Sequence, residues 1–155
     1  EKRLNYEFCL VSSNNIYRFL KKLTEKGREI LKVINKPIIK DSEINDIVRE
    51  SYAVFRLDKE VTQSGVIPVC YMNGTPVIST DIPGLTQHVW NQETGYVISR
   101  DTMHENFLIA MEYVKNNFVS LSQNARRKYE EIWSESNFLK YYSWLIDLLK
   151  KETLS

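Results

Sequence analysis

The segment that most constrains this chain runs from residue 53 to residue 79. A short apolar run, Ala53-Val54-Phe55-Arg56-Leu57, leads into Val61-Thr62-Gln63-Ser64-Gly65-Val66-Ile67-Pro68 and then into a second apolar run, Pro76-Val77-Ile78-Ser79. Both apolar runs are strand-sized, and the stretch between them has room for one helix opening at Ser64. Strand, Gly-containing loop, helix and strand make a crossover unit, which places the two strands parallel. In such a sheet the free N–H groups of the loop and the positive end of the helix dipole collect at the carboxyl edge of the strands, where phosphates bind. On spacing alone a glycine at this turn serves backbone geometry as often as a ligand.

The rest of the chain repeats the alternation. Residues 6–11 read as a strand. Ser12 and Ser13 then cap a helix with apolar positions Ile16, Phe19, Leu20 and Leu23, stopped at Gly27. Residues 30–34 form a second strand, Ser42 opens a short helix, and residues 52–57 form the third strand. A fourth strand at 76–79, a turn through Asp81 to Gly84 and a last strand at 96–99 complete one sheet. Helices follow at 103–116, 121–133 and 137–151. Strands alternating with helices predict an α/β, Rossmann-like, doubly wound parallel sheet ending in helices, a single domain over residues 1–155. The aromatic load of the last helix, with Phe138, Tyr141, Tyr142, Leu145 and Leu149 at helical spacing, reads as core or domain-interface packing.

Composition narrows the function classes. The 155 residues carry 21 basic and 20 acidic side chains, a net charge of +1, so no global field holds nucleic acid. The dense basic run Arg126-Arg127-Lys128 meets Glu130-Glu131 at once and reads as a solvated helix face. No apolar stretch of about 18 residues is present to span a membrane, and the N-terminus has no signal-peptide core, which predicts a cytoplasmic protein. Cys9 and Cys70 stand apart without a CxxC or a nearby His and read as packed, reduced thiols. His88 and His104 have no carboxylate or Cys at ligand spacing, so no metal site is expected. Asp81 follows a strand and reads first as a turn former, with a sugar contact as the alternative.

A resemblance sharpens this picture. The order Gly74-Thr75-Pro76-Val77-Ile78-Ser79-Thr80-Asp81-Ile82-Pro83-Gly84-Leu85, then Val89, then Glu93-Thr94-Gly95-Tyr96-Val97-Ile98 resembles the C-terminal half of the retaining GT-B glycosyltransferases of family 4. Residues 62–66 resemble the branch that reads "TQSGV" where others read "EGFGL". The resemblance spans about residues 44–99. It implies a donor domain for a nucleotide sugar, with the diphosphate received at Thr62, Gln63, Ser64, Gly65 and Val66. Asn35, Lys36 and Asp81 are further donor contacts by position. It also implies transfer to a polysaccharide or glycolipid acceptor, no cofactor beyond the donor substrate and no obligatory metal. The parent protein would work in the cytoplasm, with peripheral attachment at the inner face of the membrane.

The chain also departs from the family. Placed without gaps, the two motif glutamates fall on Val61 and Val69, Gln87 stands where the family often has Glu, and Tyr52 replaces the strand-opening Asp. No catalytic residue is assigned. The family's acceptor domain, and the "GR…KG" strand and loop whose basic residues meet the diphosphate, have no counterpart; Lys2 and Arg3 lie too near the terminus to stand in. The chain thus reads as a fragment, inactive by itself, whose acceptor binds through a missing N-terminal domain. Two alternatives stay open: a non-catalytic GT-B-like regulatory or assembly module, and a sugar-nucleotide epimerase domain.

Overall fold

The computed structural model describes residues 6–62 and 64–152. The chain, expected as a single domain over residues 1–155, is organised as two compact units, Glu1–Ile44 and Asn45–Ser155. Among the described residues the strands are all parallel, as expected, but they fall into two small sheets rather than one: β1-β2, and β3-β4-β5.

In the first unit, β1 (Phe8–Ser12) and β2 (Leu31–Asn35) pair in parallel register from Phe8↔Leu31 to Ser12↔Asn35. The single helix expected between them is two short ones, α1 (Tyr17–Leu20) and α2 (Glu25–Glu29). The cause is a local competition. Thr24 is extended and its Oγ1 accepts the Gly27 N–H at 3.1 Å, so it caps a fresh start and Gly27 lies inside α2 instead of ending a helix. At α1 the N-cap is Ile16, which caps with no side chain, and Asn15 Oδ1 just ahead of it accepts the Tyr17 N–H at 3.0 Å. Ser12 Oγ instead accepts from the Asn14 N–H. Helix α3 (Asp41–Arg49) runs across the boundary between the units.

The second unit is built on β4 (Val77–Thr80), which is buried along its whole length between β3 (Val54–Arg56) and β5 (Gly95–Ile98). Its register, Val54↔Val77 on one side and Val77↔Gly95 on the other, confirms the parallel crossover read from the sequence. Helix α4 (Val66–Met72) supplies Ile67, Cys70 and Tyr71 to the core. Helix α6 (Met103–Asn116) supplies Ala110, Met111 and Val114, and α7 (Phe118–Ile132) supplies Leu121 and Ala125. Each large apolar side chain so buried contributes roughly 1.5–3 kcal/mol. Phe55 stacks on Phe107 of α6, with ring centroids 5.2 Å apart, so alternation along β3 turns Val54 and Arg56 to the opposite face. Where the sequence predicted a turn after β4, Pro83–Thr86 forms a one-turn helix, α5, with Pro in its first turn. The basic run of α7 is a solvated face, as expected: Arg126 pairs with Glu130, and Arg127 and Lys128 with Glu93 and Glu131.

Helix α8 (Glu135–Glu152), expected to pack as core or domain interface, is not core of this chain: Phe138, Tyr141, Tyr142, Leu145 and Leu149 are all exposed and Trp144 is 62% exposed. Trp133, just before it, packs edge-on against Tyr71 at 5.9 Å. The Tyr71 hydroxyl donates to the His88 carbonyl at 2.9 Å and meets Thr94 Oγ1 at 2.5 Å, which satisfies a phenol whose pKa burial pushes upward.

The end of α4 is a Schellman motif. The Thr75 N–H donates to the Cys70 carbonyl at 2.8 Å and the Gly74 N–H to Tyr71 at 3.0 Å, with Gly74 at φ 68°. A Cβ at Gly74 would also lie 2.9 Å from Ser122 Oγ. Gly74→Ala is therefore expected to destabilise the second unit by about 1–2 kcal/mol, the cost of an L side chain in the left-handed region, as read by urea unfolding.

Candidate functional site

Three connections leave the β3-β4-β5 sheet at its carboxyl edge, and backbone contacts tie them together. The loop from Leu57 to Gly65 follows β3, and Thr80 Oγ1 donates to the Asp58 carbonyl in it at 2.8 Å. The Asp81 N–H donates to the Ile98 carbonyl at 3.0 Å, joining the connections after β4 and β5. Gly84 of α5 lies directly on the first loop. A Cβ there would sit 2.0 Å from the Val61 carbonyl oxygen and 2.8 Å from that of Thr62. The glycine that the sequence places after Pro83 is thus what lets α5 lie against the loop that carries the expected phosphate contacts.

That loop delivers the chain to α4. Gly65 is the N-cap, with φ −61° and ψ −16°, and no side chain caps the helix. The Ile67 N–H donates to the Ser64 carbonyl at 3.2 Å and Pro68, the third residue of α4, has no N–H, so helix geometry leaves the N–H groups of Gly65 and Val66 without an intrahelical acceptor. Gly65 has an ordinary right-handed conformation, and a Cβ built on it meets nothing within 4 Å. Its backbone therefore does not require glycine; the missing side chain leaves the helix start open to approach. Ser64 is 7% exposed and its Oγ has no hydrogen-bond partner; Ser79 Oγ, on β4, is buried and orphaned in the same way. Thr62 is exposed and Val66 half-buried, while Gln63, Lys2 and Arg3 lie outside the described residues.

The remaining expected contacts are already engaged. Asp81 shares the sheet edge with the loop, but its Oδ1 accepts the Arg100 N–H at 3.0 Å and pairs with Arg100 Nε at 3.4 Å. That backbone hydrogen bond holds its carboxyl below the ordinary range. Asn35 and Lys36 belong to the first unit. The Asn35 amide donates to the Ser12 carbonyl at 2.6 Å and the Asn14 carbonyl at 2.8 Å, fastening the turn after β1, and Lys36 pairs with Glu43. His88 packs edge-on against Trp133 at 5.5 Å. Cys70 is buried, which pushes its thiol up to about 12, with the Arg56 charge pulling the other way; Cys9 is exposed rather than packed. Among the described residues no three His, Cys, Asp or Glu side chains gather as metal ligands, and no helix is long and apolar enough to cross a membrane.

Sequence reasoning passed over Arg56. It is the last residue of β3, with its Nε 2.9 Å from Asp58 Oδ2, and its signal was there to read: one charge inside an apolar strand run. Asp58 and Thr80, which brace the loop, carry no motif that marks them.

No protein-family model matches the sequence, and no curated protein does either. Solved structures match in fold. TarM aligns with a TM-score of 0.73 at 16% identity, over 92% of this chain and 29% of its own. The pneumococcal O-GlcNAc transferase GtfA, crystallised with UDP and GlcNAc, aligns at 0.67 and 14% identity over the same shares, 92% and 29%. WaaG, a glycosyltransferase involved in lipopolysaccharide biosynthesis, aligns at 0.67 and 16% identity over 80% of this chain and 34% of its own. At these identities the likeness is one of fold, and the chain has the Rossmann-like α/β fold of the GT-B C-terminal domain. It spans about 29% of the length of TarM and of GtfA.

The two glycines of the site give opposite expectations. Gly84→Ala must push α5 off the loop carbonyls and is expected to lower stability by about 1–3 kcal/mol or more, the usual cost of overpacking. Gly65→Ala, in open space at a compatible φ, is expected to be neutral or to stabilise by up to about 1 kcal/mol. Paired thermal and urea unfolding of both variants checks the contrast.

Proposed function

We propose that this chain is the nucleotide-sugar-binding part of a GT-B glycosyltransferase, acting with retention at the anomeric carbon to transfer a hexose to a polysaccharide or glycolipid. The observation that carries the reading is the uncapped start of α4 at the carboxyl edge of a parallel sheet, beneath a glycine that leaves it open. The N–H groups of Ser64, Gly65 and Val66, together with the helix dipole, would hold the donor diphosphate and stabilise its charge as it departs, without an obligatory metal. The fold is shared with a transferase crystallised with UDP, which supports a nucleotide donor. The acceptor would bind through the N-terminal domain of the parent protein, working in the cytoplasm at the inner face of the membrane.

A second reading draws on two particular residues. Val61 and Val69 stand where the family's glutamates fall, and valine can neither accept a hydrogen bond from a sugar hydroxyl nor hold a ribose. A chain that keeps the phosphate cradle and lacks both carboxylates fits a non-catalytic regulatory or assembly module. Under either reading, residues 1–155 by themselves, which span about 29% of the length of TarM and of GtfA, are expected to transfer no sugar from any nucleotide sugar offered.

Gly65→Asp in the full-length protein is expected to abolish UDP binding, because a carboxylate would occupy the approach and repel the diphosphate. Gly65→Ala is expected to bind within a few-fold of wild type. Calorimetry with UDP on the three proteins, with circular dichroism to confirm folding, makes the comparison. A folded Asp variant that binds like wild type would remove this loop from the phosphate site and leave the non-catalytic reading the better one.

A further inference from the structure

Asn73-Gly74 is the one place in the chain where an asparagine precedes a glycine. In that dipeptide no Cβ on the second residue shields its backbone nitrogen, which can therefore attack the asparagine side chain. The Gly74 nitrogen would bond to Asn73 Cγ and give up its proton, and the side-chain nitrogen would leave with that proton as ammonia. Water then opens the five-membered imide at either carbonyl, giving aspartate or isoaspartate. Ring closure needs a free Gly74 N–H, a mobile Asn73 amide, and the Gly74 nitrogen turned over the Cα–Cβ bond of Asn73.

The fold denies all three. Gly74 is buried and its N–H donates to the Tyr71 carbonyl at 3.0 Å. Asn73 Nδ2 donates to Asn45 Oδ1 and to the Val69 carbonyl, each at 2.9 Å. Asn73 has ψ 1°, which sets the Gly74 nitrogen over the backbone nitrogen of Asn73 instead of its Cβ. These restraints all belong to the last turn of α4, so they are lost together when that turn opens. The product cannot remake them. Aspartate at 73 would set a carboxylate oxygen against the oxygens of Asn45 and Val69, at the negative end of the helix dipole. Isoaspartate would add a methylene to the backbone where the Gly74 and Thr75 N–H groups reach back to Tyr71 and Cys70. The cations lining the hollow beside Asn73 are already engaged, Arg49 with Asp46, and Arg126 with Glu130 and the Met72 carbonyl.

We propose that Asn73-Gly74 is a deamidation site that the native fold keeps closed, that fraying of the last turn of α4 opens it, and that conversion is one-way because the modified chain cannot rebuild that turn. The site is independent of what the chain binds.

The test incubates the full-length protein in mildly alkaline buffer, folded and in urea, and follows residue 73 by peptide mass spectrometry with enzymatic detection of isoaspartate. Wild type is expected to convert at least tenfold faster in urea than folded, and Asn73 ahead of every other asparagine. Asn45→Ala, which removes one acceptor from the Asn73 amide, should speed conversion of the folded protein several-fold and leave the rate in urea unchanged. Gly84→Ala, destabilising from elsewhere in the second unit, should speed it less at a matched loss of stability. Converted protein, returned to native buffer, should melt below unconverted protein. Equal rates folded and in urea would overturn the closed site, and equal acceleration by Asn45→Ala and Gly84→Ala would overturn its local opening. A converted protein that melts like wild type would overturn the one-way step. Should Asn45→Ala fail to fold, Asn45→Asp, which keeps an acceptor for the Asn73 amide, takes its place and is expected to convert at the wild-type rate; faster conversion would count against the hold.

Discussion

The second unit depends on two places where backbone touches backbone. At Gly95 a Cβ would lie 1.8 Å from the Val77 carbonyl oxygen, and at Gly84 a Cβ would lie 2.0 Å from that of Val61. The first contact lets β5 close on the buried central strand, and the second lets α5 support the loop between β3 and α4. Neither glycine has a positive φ. Their requirement is room, not an unusual conformation: at Gly95 for β5 to pair with the amino end of β4, and at Gly84 for α5 to lie against the loop after β3.

The chemistry at the carboxyl edge of β3-β4-β5 is lopsided. Backbone N–H groups, two orphaned hydroxyls and a guanidinium are donors, while two of the acidic side chains there are engaged, Asp58 with Arg56 and Asp81 with Arg100. The positions that align with the family's glutamates, Val61 and Val69, bring no oxygen at all.

Much of the fold was legible because its signals are local and period-bound. The crossover from β3 through α4 to β4, and helix α6 to the residue, followed from apolar run lengths and spacing. What failed was decided by competition between neighbours. Ser12, Ser13, Asn15 and Thr24 all offer capping oxygens within one short segment, and only coordinates show that Asn15 and Thr24 win and split the helix. The single sheet was an extrapolation from alternation, which fixes strand direction but not which strands share hydrogen bonds. The aromatic face of α8 was read as core or domain-interface packing, and its exposure removes the first of these, because periodicity names a face without naming what covers it. For the site, the open glycine was visible and its reason was not: only the conformation of Gly65 separates access from backbone need.

The two thiols of this chain end up in opposite circumstances. Cys70 sits buried on the inner face of α4 with its proton held well above neutrality, whereas Cys9 lies exposed on β1. An alkylating reagent attacks thiolate it can reach, so the folded chain presents one addressable sulfur and the opened chain presents two. The molecule thus carries a native clock for its second unit. The rate at which a second label appears reports how often α4 lifts from the sheet, without any residue having to be changed to see it.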